Sequence, residues 1–247
     1  MNAKLRQRAN RALIRQLDYQ QQKAAAIRGH ERNLTIQMMQ ASVAVRDKLE
    51  RIRPLAQDAR VLEVGSGPHG LIFFFEAPFG VGIDPLAVPY AKLFSVWQRR
   101  VPVVAAFGEV LPFADASFDV VLCDNVVDHA ELPARIVSEI ARVLAPSGLL
   151  YFTVNVHHPV YALASRLHAT WNALGIPYEI RPFADHTVHL TPASARRLFR
   201  DLSFWILQES KVTAQRAASN GLEGALKKIF FKNSLYEVIV ERREKDS

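Results

Sequence analysis

Short apolar segments alternate with helix-like segments from residue 60 onward, and this alternation constrains the fold more than any other feature. The segments that read as strands are 60–64, 81–84, 101–106, 118–124 and 148–155. Those that read as helices are 69–77, 86–98 and 132–144. Continuously apolar strands are buried on both faces, and strands separated by helices pair in parallel. The sequence therefore predicts an α/β fold built on a doubly wound, mostly parallel sheet.

Polar and ionisable residues follow the predicted strands, where each strand ends. They are residues 63–70, Asp84, residues 107–110, residues 124–129 and residues 155–158. In open α/β sheets the ligand lies beyond the carboxyl ends of the strands. The sequence therefore predicts one ligand site, at that edge of the sheet.

A glycine-rich turn, VLEVGSGPHG at residues 61–70, follows the first predicted strand. Gly65, Gly67 and Gly70 fit the spacing G-x-G-x-x-G, and Asp84 lies 19 residues after Gly65. Bare backbone at this place can receive a pyrophosphate or the carboxylate of an amino acid, and the acidic residue can bind ribose hydroxyls. Both a nicotinamide cofactor and S-adenosylmethionine meet this description.

The segments VLEVGSGPHG, VGIDP, GEVLPFADASFDVVLCDNVVDH and EIARVLAPSGLLYFTV occur in this order along the chain. As a set they resemble the class I S-adenosylmethionine-dependent methyltransferases, in particular the group with a type-11 methyltransferase domain. The resemblance covers residues 55–155 closely, continues more loosely over residues 186–207, and does not include residues 1–50. It implies a Rossmann-like sheet of seven strands, with S-adenosylmethionine as the cofactor.

The resemblance also implies a role for individual residues. The methionine part of the cofactor would lie against Gly65, Ser66 and Gly67, with Glu63 supporting the turn. Its ribose would bind Asp84, and its adenine would lie against Pro85 or Leu86 and be edged by Glu109 and Val110. Its ammonium end would be reached by Asp124 and Asn125.

Two positions depart from the pattern of that family. His69 stands where a third glycine is usual, and Phe107 stands where an aspartate commonly binds the adenine amino group. Adenine recognition would then rest on Glu109, on main chain, or on stacking with Phe107. A dehydrogenase is disfavoured because the Tyr-x-x-x-Lys pair of short-chain reductases occurs only upstream of the turn, at Tyr19 and Lys23.

Histidines near the predicted strand ends are candidates for a catalytic base, because histidine titrates near neutral pH. His129 follows Asp128 after the fourth strand, and His157 and His158 follow the fifth. For each of them a structural role in a hydrogen-bonded loop is the alternative. Asp185, His186 and His189 could bind a metal together with His157 or His158, but loop spacing alone does not fix ligand geometry, and we predict no metal site.

Residues 156–190 form a long connection rich in aromatic side chains, which predicts a cap over the site. An aromatic cap favours a small or medium organic acceptor over a nucleic acid duplex. A basic, aromatic helix is predicted near residues 221–234, before a last strand at 235–241.

The N-terminal segment, residues 1–54, is predicted to be a helical extension, and residues 55–247 the methyltransferase domain. Helices are expected over 3–28 and from a cap at Asn33 to Pro54. Residues 1–32 carry eight basic and two acidic side chains, so most of the formal net charge of +7 belongs to this segment. A solvated helix face is the simpler interpretation, and an anionic partner is the alternative.

The composition predicts a cytoplasmic globular protein, since 49% of the residues are hydrophobic and no apolar run is long enough to span a membrane. The single cysteine, Cys123, cannot form an internal disulfide. We predict methyl transfer to a small molecule, at oxygen before nitrogen or carbon. The alternatives are a nucleic acid or protein acceptor, a non-catalytic partner subunit, and an NAD-dependent oxidoreductase; the sequence does not predict an oligomeric state.

Overall fold

A computed structural model describes residues 3–157, 188, 190–213 and 234–243, with side chains over 13–157, 188, 190–211 and 234–243. Its strands are β1 (Arg60–Val64), β2 (Phe79–Ile83), β3 (Val103–Val104), β4 (Phe118–Asp124), β5 (Leu144–Val156), β6 (Phe204–Thr213) and β7 (Ser234–Arg242). Its α-helices are α1 (Ala3–Ile27), α2 (Glu31–Ile52), α3 (Ala87–Leu93), α4 (Ser95–Gln98), α5 (Pro133–Val143) and α6 (Pro192–Arg197). A short 3-10 helix, Leu71–Phe74, follows β1.

The seven strands form one sheet in the order β3-β2-β1-β4-β5-β7-β6. Strands β1 to β5 pair in parallel, and β7 is antiparallel to both β5 and β6. The prediction of a doubly wound, mostly parallel, seven-stranded α/β sheet is confirmed. Because β1 lies between β2 and β4, the chain order reverses at β1, and this switch point is where such sheets bind ligands.

Two hydrophobic cores lie on opposite faces of the sheet, because successive side chains of a strand point to opposite sides. On one face Val61, Leu122 and Tyr151 pack with α1, α2, the 3-10 helix and α3. On the other face Leu62, Val121 and Phe152 pack with α5 and α6. We call the first of these the α2 face of the sheet.

Helix α2 is part of the first core. Its buried side chains, Met38, Ser42, Val45 and Leu49, follow the helical period and face the sheet. The Ser42 hydroxyl donates a hydrogen bond of 2.7 Å to the carbonyl oxygen of Leu71. The segment predicted as an N-terminal extension therefore shares its packing with the strands that follow it.

Three local predictions were wrong. The helix expected over 69–77 is reduced to the 3-10 helix, whose four residues are all buried and so offer no polar face to solvent. The strand expected over 101–106 is only Val103–Val104, at the edge of the sheet. Helix α2 begins at Glu31 with His30 as its N-cap, without a side-chain cap hydrogen bond, so Asn33 lies inside the helix.

Some predictions fall outside the described residues. They are most of the cap at 156–190, its residues His158, Asp185, His186 and His189, and the basic helix near 221–234 up to the start of β7. In the described part of the chain, no helix has the length and apolar character needed to cross a membrane.

The glycine turn is packed against aromatic side chains through His69. The His69 ring lies 4.9 Å from the Phe94 ring and 5.3 Å from the Trp97 ring, centroid to centroid. Its Nε2 atom is buried and accepts no hydrogen bond from the described residues. Burial and, to a smaller extent, the positive charge of Lys23 on α1 lower the pKa of His69 to about 4. This histidine therefore serves as an uncharged ring that fills the space between the turn and α4.

We predict that Leu49→Ala destabilises the protein by about 2–5 kcal/mol, because Leu49 is fully buried and its truncation leaves a cavity beneath α2. Val43→Ala on the same helix is the matched control, since the Val43 side chain is 48% exposed, and it should change stability by less than about 0.5 kcal/mol. Urea unfolding followed by circular dichroism measures both. Equal unfolding midpoints for Leu49→Ala and wild type would show that α2 does not pack as described.

We also predict that His69 makes the fold sensitive to acid. The unfolded chain binds a proton at this histidine near pH 6.5, whereas the folded chain binds it only near pH 4, so stability is lost as the pH falls between these values. The loss amounts to roughly 3 kcal/mol at 1.36 kcal/mol per pKa unit. His69→Phe keeps the ring contacts and cannot be protonated, so its unfolding free energy should fall less over this range. Parallel stability curves for the two proteins would contradict the prediction.

Candidate functional site

The glycine turn after β1 uses backbone conformations that other residues rarely adopt. Gly65 has φ +71° and Gly67 has φ +53°. A Cβ atom on Gly65 would lie 2.5 Å from Cγ2 of Val126, whereas one on Gly67 would meet no side chain within 4 Å. The N–H of Ser66 donates a hydrogen bond of 2.9 Å to the carbonyl oxygen of Ile83, which ties the turn to β2. The turn is therefore crowded on the Gly65 side and open around Gly67.

Glu63 holds the far end of the same turn. Its side chain is buried, and its two carboxylate oxygens accept hydrogen bonds from the N–H groups of Leu71 and Ile72, each 3.0 Å long. A Cβ atom on Gly70 would lie 2.2 Å from Oε2 of Glu63, so the carboxylate occupies the space that a side chain would need. Burial raises the pKa of Glu63 to about 8, although the two N–H groups act in the opposite direction.

Asp84 follows β2 and faces the turn. Its Oδ2 accepts a hydrogen bond of 3.0 Å from the N–H of Gly67, and its Oδ1 accepts one of 2.7 Å from the N–H of Leu86. Burial raises the pKa of Asp84, while these two N–H groups lower it. The carbonyl oxygen of Gly67 accepts a hydrogen bond of 2.9 Å from Nε2 of Gln98. Asp84 and Gln98 thus hold Gly67 between them.

Asp124 and Asn125 end β4 beside the turn. Asp124 is exposed and Asn125 is half-buried. The backbone of Asn125 has φ +56°, in the left-handed region. The hydroxyl of Thr153 on β5 donates a hydrogen bond to Asp124 Oδ1 and accepts one from the N–H of Asn125. Loss of hydration raises the pKa of Asp124, and the Thr153 hydrogen bond lowers it.

The residues expected near an adenine lie after β2 and β3. Phe107 is 48% and Val110 is 64% exposed, and the N–H of Val110 donates a hydrogen bond of 3.1 Å to the carbonyl oxygen of Phe107 in a turn. Glu109 is half-buried, and its carbonyl oxygen accepts a hydrogen bond from Arg135. Pro85 is half-buried, whereas Leu86 belongs to the core. Two large apolar side chains thus face solvent on this side of the sheet edge.

The candidate histidines differ in their access to solvent. The side chain of His129 is 49% exposed, with Nε2 lying 3.9 Å from Oδ1 of the fully buried Asp128. His157 is buried, and its N–H donates a hydrogen bond of 2.8 Å to the carbonyl oxygen of Leu190. The N–H of Val188 likewise donates to the carbonyl oxygen of Asp128. Val188 and Leu190 are thereby hydrogen-bonded to the loops that follow β4 and β5. In the described ranges no group of three or more histidine, cysteine, aspartate or glutamate side chains could hold a metal.

Sequence reasoning missed Gln98 and Thr153, and it placed Asn155 at the ligand edge of the sheet without giving it a role. Thr153 carried a signal, because it is a polar residue within the largely apolar C-terminal half of β5. Asn155 donates two hydrogen bonds to Oδ1 of Asn125, one from its side chain at 2.6 Å and one from its backbone at 3.2 Å. Gln98 carried no such signal, since a glutamine at the end of a helix is most often solvated.

Residues 62–152 match the family model described as a methyltransferase domain. An uncharacterised methyltransferase of Mycolicibacterium vanbaalenii is 37% identical over 100 residues, which are 39% of this chain and 39% of that protein. A malonyl-[acyl-carrier protein] O-methyltransferase of Halorhodospira halophila is 28% identical over 162 residues, which are 63% of this chain and 53% of that one. The chain therefore spans only about two fifths of the length of the first of these curated relatives.

The fold is also that of a solved structure. A putative sarcosine dimethylglycine methyltransferase from Galdieria sulphuraria superposes with a TM-score of 0.61 at 14% identity, covering 83% of this chain and 86% of that one. At this identity the likeness concerns the fold, and the family rests on the sequence match. The segment that matches, residues 62–152, runs from β1 into β5 and contains the glycine turn, Asp84 and Asp124. This segment is therefore similar to the methyltransferase domain of S-adenosylmethionine-dependent enzymes.

Proposed function

We propose that the protein binds S-adenosylmethionine and transfers its methyl group to a small-molecule acceptor, at an oxygen atom. The observation that carries the proposal is the pair of carboxylates, Asp84 and Asp124, on either side of a glycine turn at the switch point of the sheet. The open space at Gly67 lies between the strands that carry them. A ligand with a hydroxylated sugar at one end and a cationic amino acid at the other fits this distribution of groups.

Asp84 is suited to bind the ribose. Each of its oxygens accepts one backbone N–H and retains a second lone pair, so two hydroxyl groups could donate to one carboxylate. Asp124 is suited to bind the ammonium group, because one oxygen accepts the hydroxyl of Thr153 and the side chain reaches solvent. The turn itself, Gly65 to Gly67 with Ser66, would lie against the methionine part, held in place from behind by Glu63.

The adenine ring of the cofactor would be bound mainly through apolar contacts. Phe107 and Val110 expose large apolar surfaces beyond β3, and Pro85 stands partly exposed beyond β2. Leu86 is buried, so it would not contact the adenine with its side chain but would hold the loop after β2 in place. Glu109 is the remaining polar side chain on this loop that could accept a hydrogen bond from the adenine amino group.

Among the described histidines, His129 is the best candidate for the base. Bound S-adenosylmethionine supplies a methyl group on a positively charged sulfur, which is already activated for transfer. The protein then has to orient the acceptor, exclude water and remove a proton from a hydroxyl. His129 exposes half of its side chain and lies with Nε2 3.9 Å from Oδ1 of the buried Asp128, whereas His157 is enclosed. His158 remains a candidate that lies outside the described residues.

An oxygen acceptor is favoured by this base, because a hydroxyl must lose its proton during transfer. The Halorhodospira relative is named for O-methylation of a malonyl group carried by an acyl-carrier protein, and the Galdieria structure is named for sarcosine and dimethylglycine. Both names support methyl transfer to small organic groups, and the first supports oxygen.

We predict that Asp84→Asn weakens S-adenosylmethionine binding about 10- to 100-fold. The substitution removes the negative charge and replaces one of the two accepting oxygens with an NH2 group, which can only donate. Isothermal titration calorimetry with S-adenosylmethionine and S-adenosylhomocysteine measures the change. Asp115→Asn is the matched control, since Asp115 precedes β4 and so lies near the opposite edge of the sheet, with a side chain 76% exposed. Binding of NADH but not of S-adenosylmethionine by the wild type would overturn the proposed function.

We predict that His129→Gln lowers methyl transfer at least 100-fold while leaving the dissociation constant of S-adenosylmethionine unchanged, as expected for a base outside the cofactor contacts. Release of S-adenosylhomocysteine, measured against a panel of small hydroxyl- and carboxyl-bearing acceptors, identifies a substrate and then gives the rate. His30→Gln, at the exposed start of α2, is the matched control. Full turnover by His129→Gln would assign this histidine a structural role.

A further inference from the structure

Asn125 has a backbone conformation that requires support. Its φ of +56° places a residue with a side chain in the left-handed region, immediately after Asp124. Such a residue costs free energy and persists where its surroundings fix it, and asparagine accepts the conformation more readily than most residues. The surroundings that fix Asn125 belong to the neighbouring strand β5.

Thr153 on β5 provides the first support. Its carbonyl oxygen and its hydroxyl both accept the N–H of Asn125, at 3.1 and 3.0 Å. Its hydroxyl also lies 2.5 Å from Oδ1 of Asp124. Because an N–H can only donate, the hydroxyl must accept from Asn125, and its single proton is left for Asp124. Thr153 is completely buried, so no water competes for this proton.

Asn155, two residues further along β5, provides the second support. Its side-chain and backbone N–H groups both donate to Oδ1 of Asn125, at 2.6 and 3.2 Å. The side-chain oxygen of Asn125 is thereby fixed. The backbone turn after β4 is therefore held at both its N–H and its side chain by residues of one adjacent strand.

We infer that Thr153 is a positioning residue of the cofactor site, which holds Asp124 and Asn125 in the geometry that receives the ammonium group of S-adenosylmethionine. This inference rests on the proposed function, and it adds a residue that acts through Asp124 without touching the ligand itself. The isosteric side chain of valine would fill the same space and supply neither hydrogen bond.

The charges around Asp124 bear on how it would hold a cation. The ionisable groups that interact with it from neighbouring elements are Glu63 on β1, Cys123 on β4, Tyr151 on β5, Glu237 on β7 and Lys48 on α2. Partial loss of hydration raises the pKa of Asp124 most, and Glu237 raises it further, whereas Thr153 and then Lys48 lower it. Removing the hydroxyl of Thr153 should therefore raise the pKa of Asp124 and shift protonation of this carboxylate to higher pH.

The test compares Thr153→Val with Thr153→Ser by calorimetry, using two ligands. S-adenosylmethionine carries the ammonium group, and 5′-methylthioadenosine has the adenine and ribose without the amino acid part. We expect Thr153→Val to bind S-adenosylmethionine at least tenfold more weakly, to bind methylthioadenosine as the wild type does, and to lose S-adenosylmethionine affinity at a higher pH as the solution is acidified. Thr153→Ser keeps the hydroxyl and should restore affinity for S-adenosylmethionine.

A second measurement keeps the inference testable if Thr153→Val folds poorly. If Thr153 acts through Asp124, then Thr153→Ser and Thr153→Ala, compared in the wild type and in Asp124→Asn, should differ in S-adenosylmethionine affinity only when Asp124 is present. Equal affinities in the wild-type background, or equal losses for both ligands, would overturn the role of Thr153 while leaving the proposed function intact. Failure of the wild type itself to bind S-adenosylmethionine would overturn both.

Discussion

The buried carboxylate of Glu63 is the constraint on which the rest of this structure depends. It stands inside β1 and accepts the N–H groups of Leu71 and Ile72, which begin the 3-10 helix. The chain must therefore leave the strand, turn through the glycines and return within seven residues, and Gly70 can carry no side chain because Oε2 already fills that space. One acidic residue thus fixes the length of the turn, its glycine content and the short helix after it.

The shortness of that helix explains why the N-terminal segment is part of the core. Four residues cannot cover the sheet face above β1, β4 and β5, and α2 lies over it instead. Ser42 and Arg46 donate to the carbonyl oxygens of Leu71 and Phe75, which are backbone groups of the 3-10 helix and its end. Lys48 forms an ion pair with the buried Glu237 of β7. Helix α2 therefore contacts both the segment that follows β1 and the antiparallel strand β7.

The sequence predicted the sheet and the site better than it predicted the elements between them. Strands buried on both faces have a continuous apolar pattern, which is why β1, β4 and β5 were recognised, and the residues after them were placed at one edge by the rule for parallel sheets. The short aromatic helix expected at 69–77 is not present in full because the run LIFFF is buried on every side, and local periodicity does not show how long a fully buried helix is. Thr153 was missed because its role depends on a strand pairing, Asp124 with Thr153, that local sequence does not encode.

The charge of the whole chain says little about what this site can bind. The formal net charge is +7, yet the α2 face of the sheet carries Glu63 on β1, Asp124 on β4 and Glu237 on β7, and Lys48 is the cation that pairs with Glu237. Burial raises the pKa of Glu63 most, to about 8, and the negative charges of Asp124 and Asp84 raise it further within that shift. Asp124 is the exposed member of this group, so a cation beside it would compensate the negative charge that disfavours ionisation of Glu63. A cationic ligand is therefore favoured by the acidic side chains on the α2 face, which agrees with the ammonium-bearing cofactor proposed for this edge of the sheet.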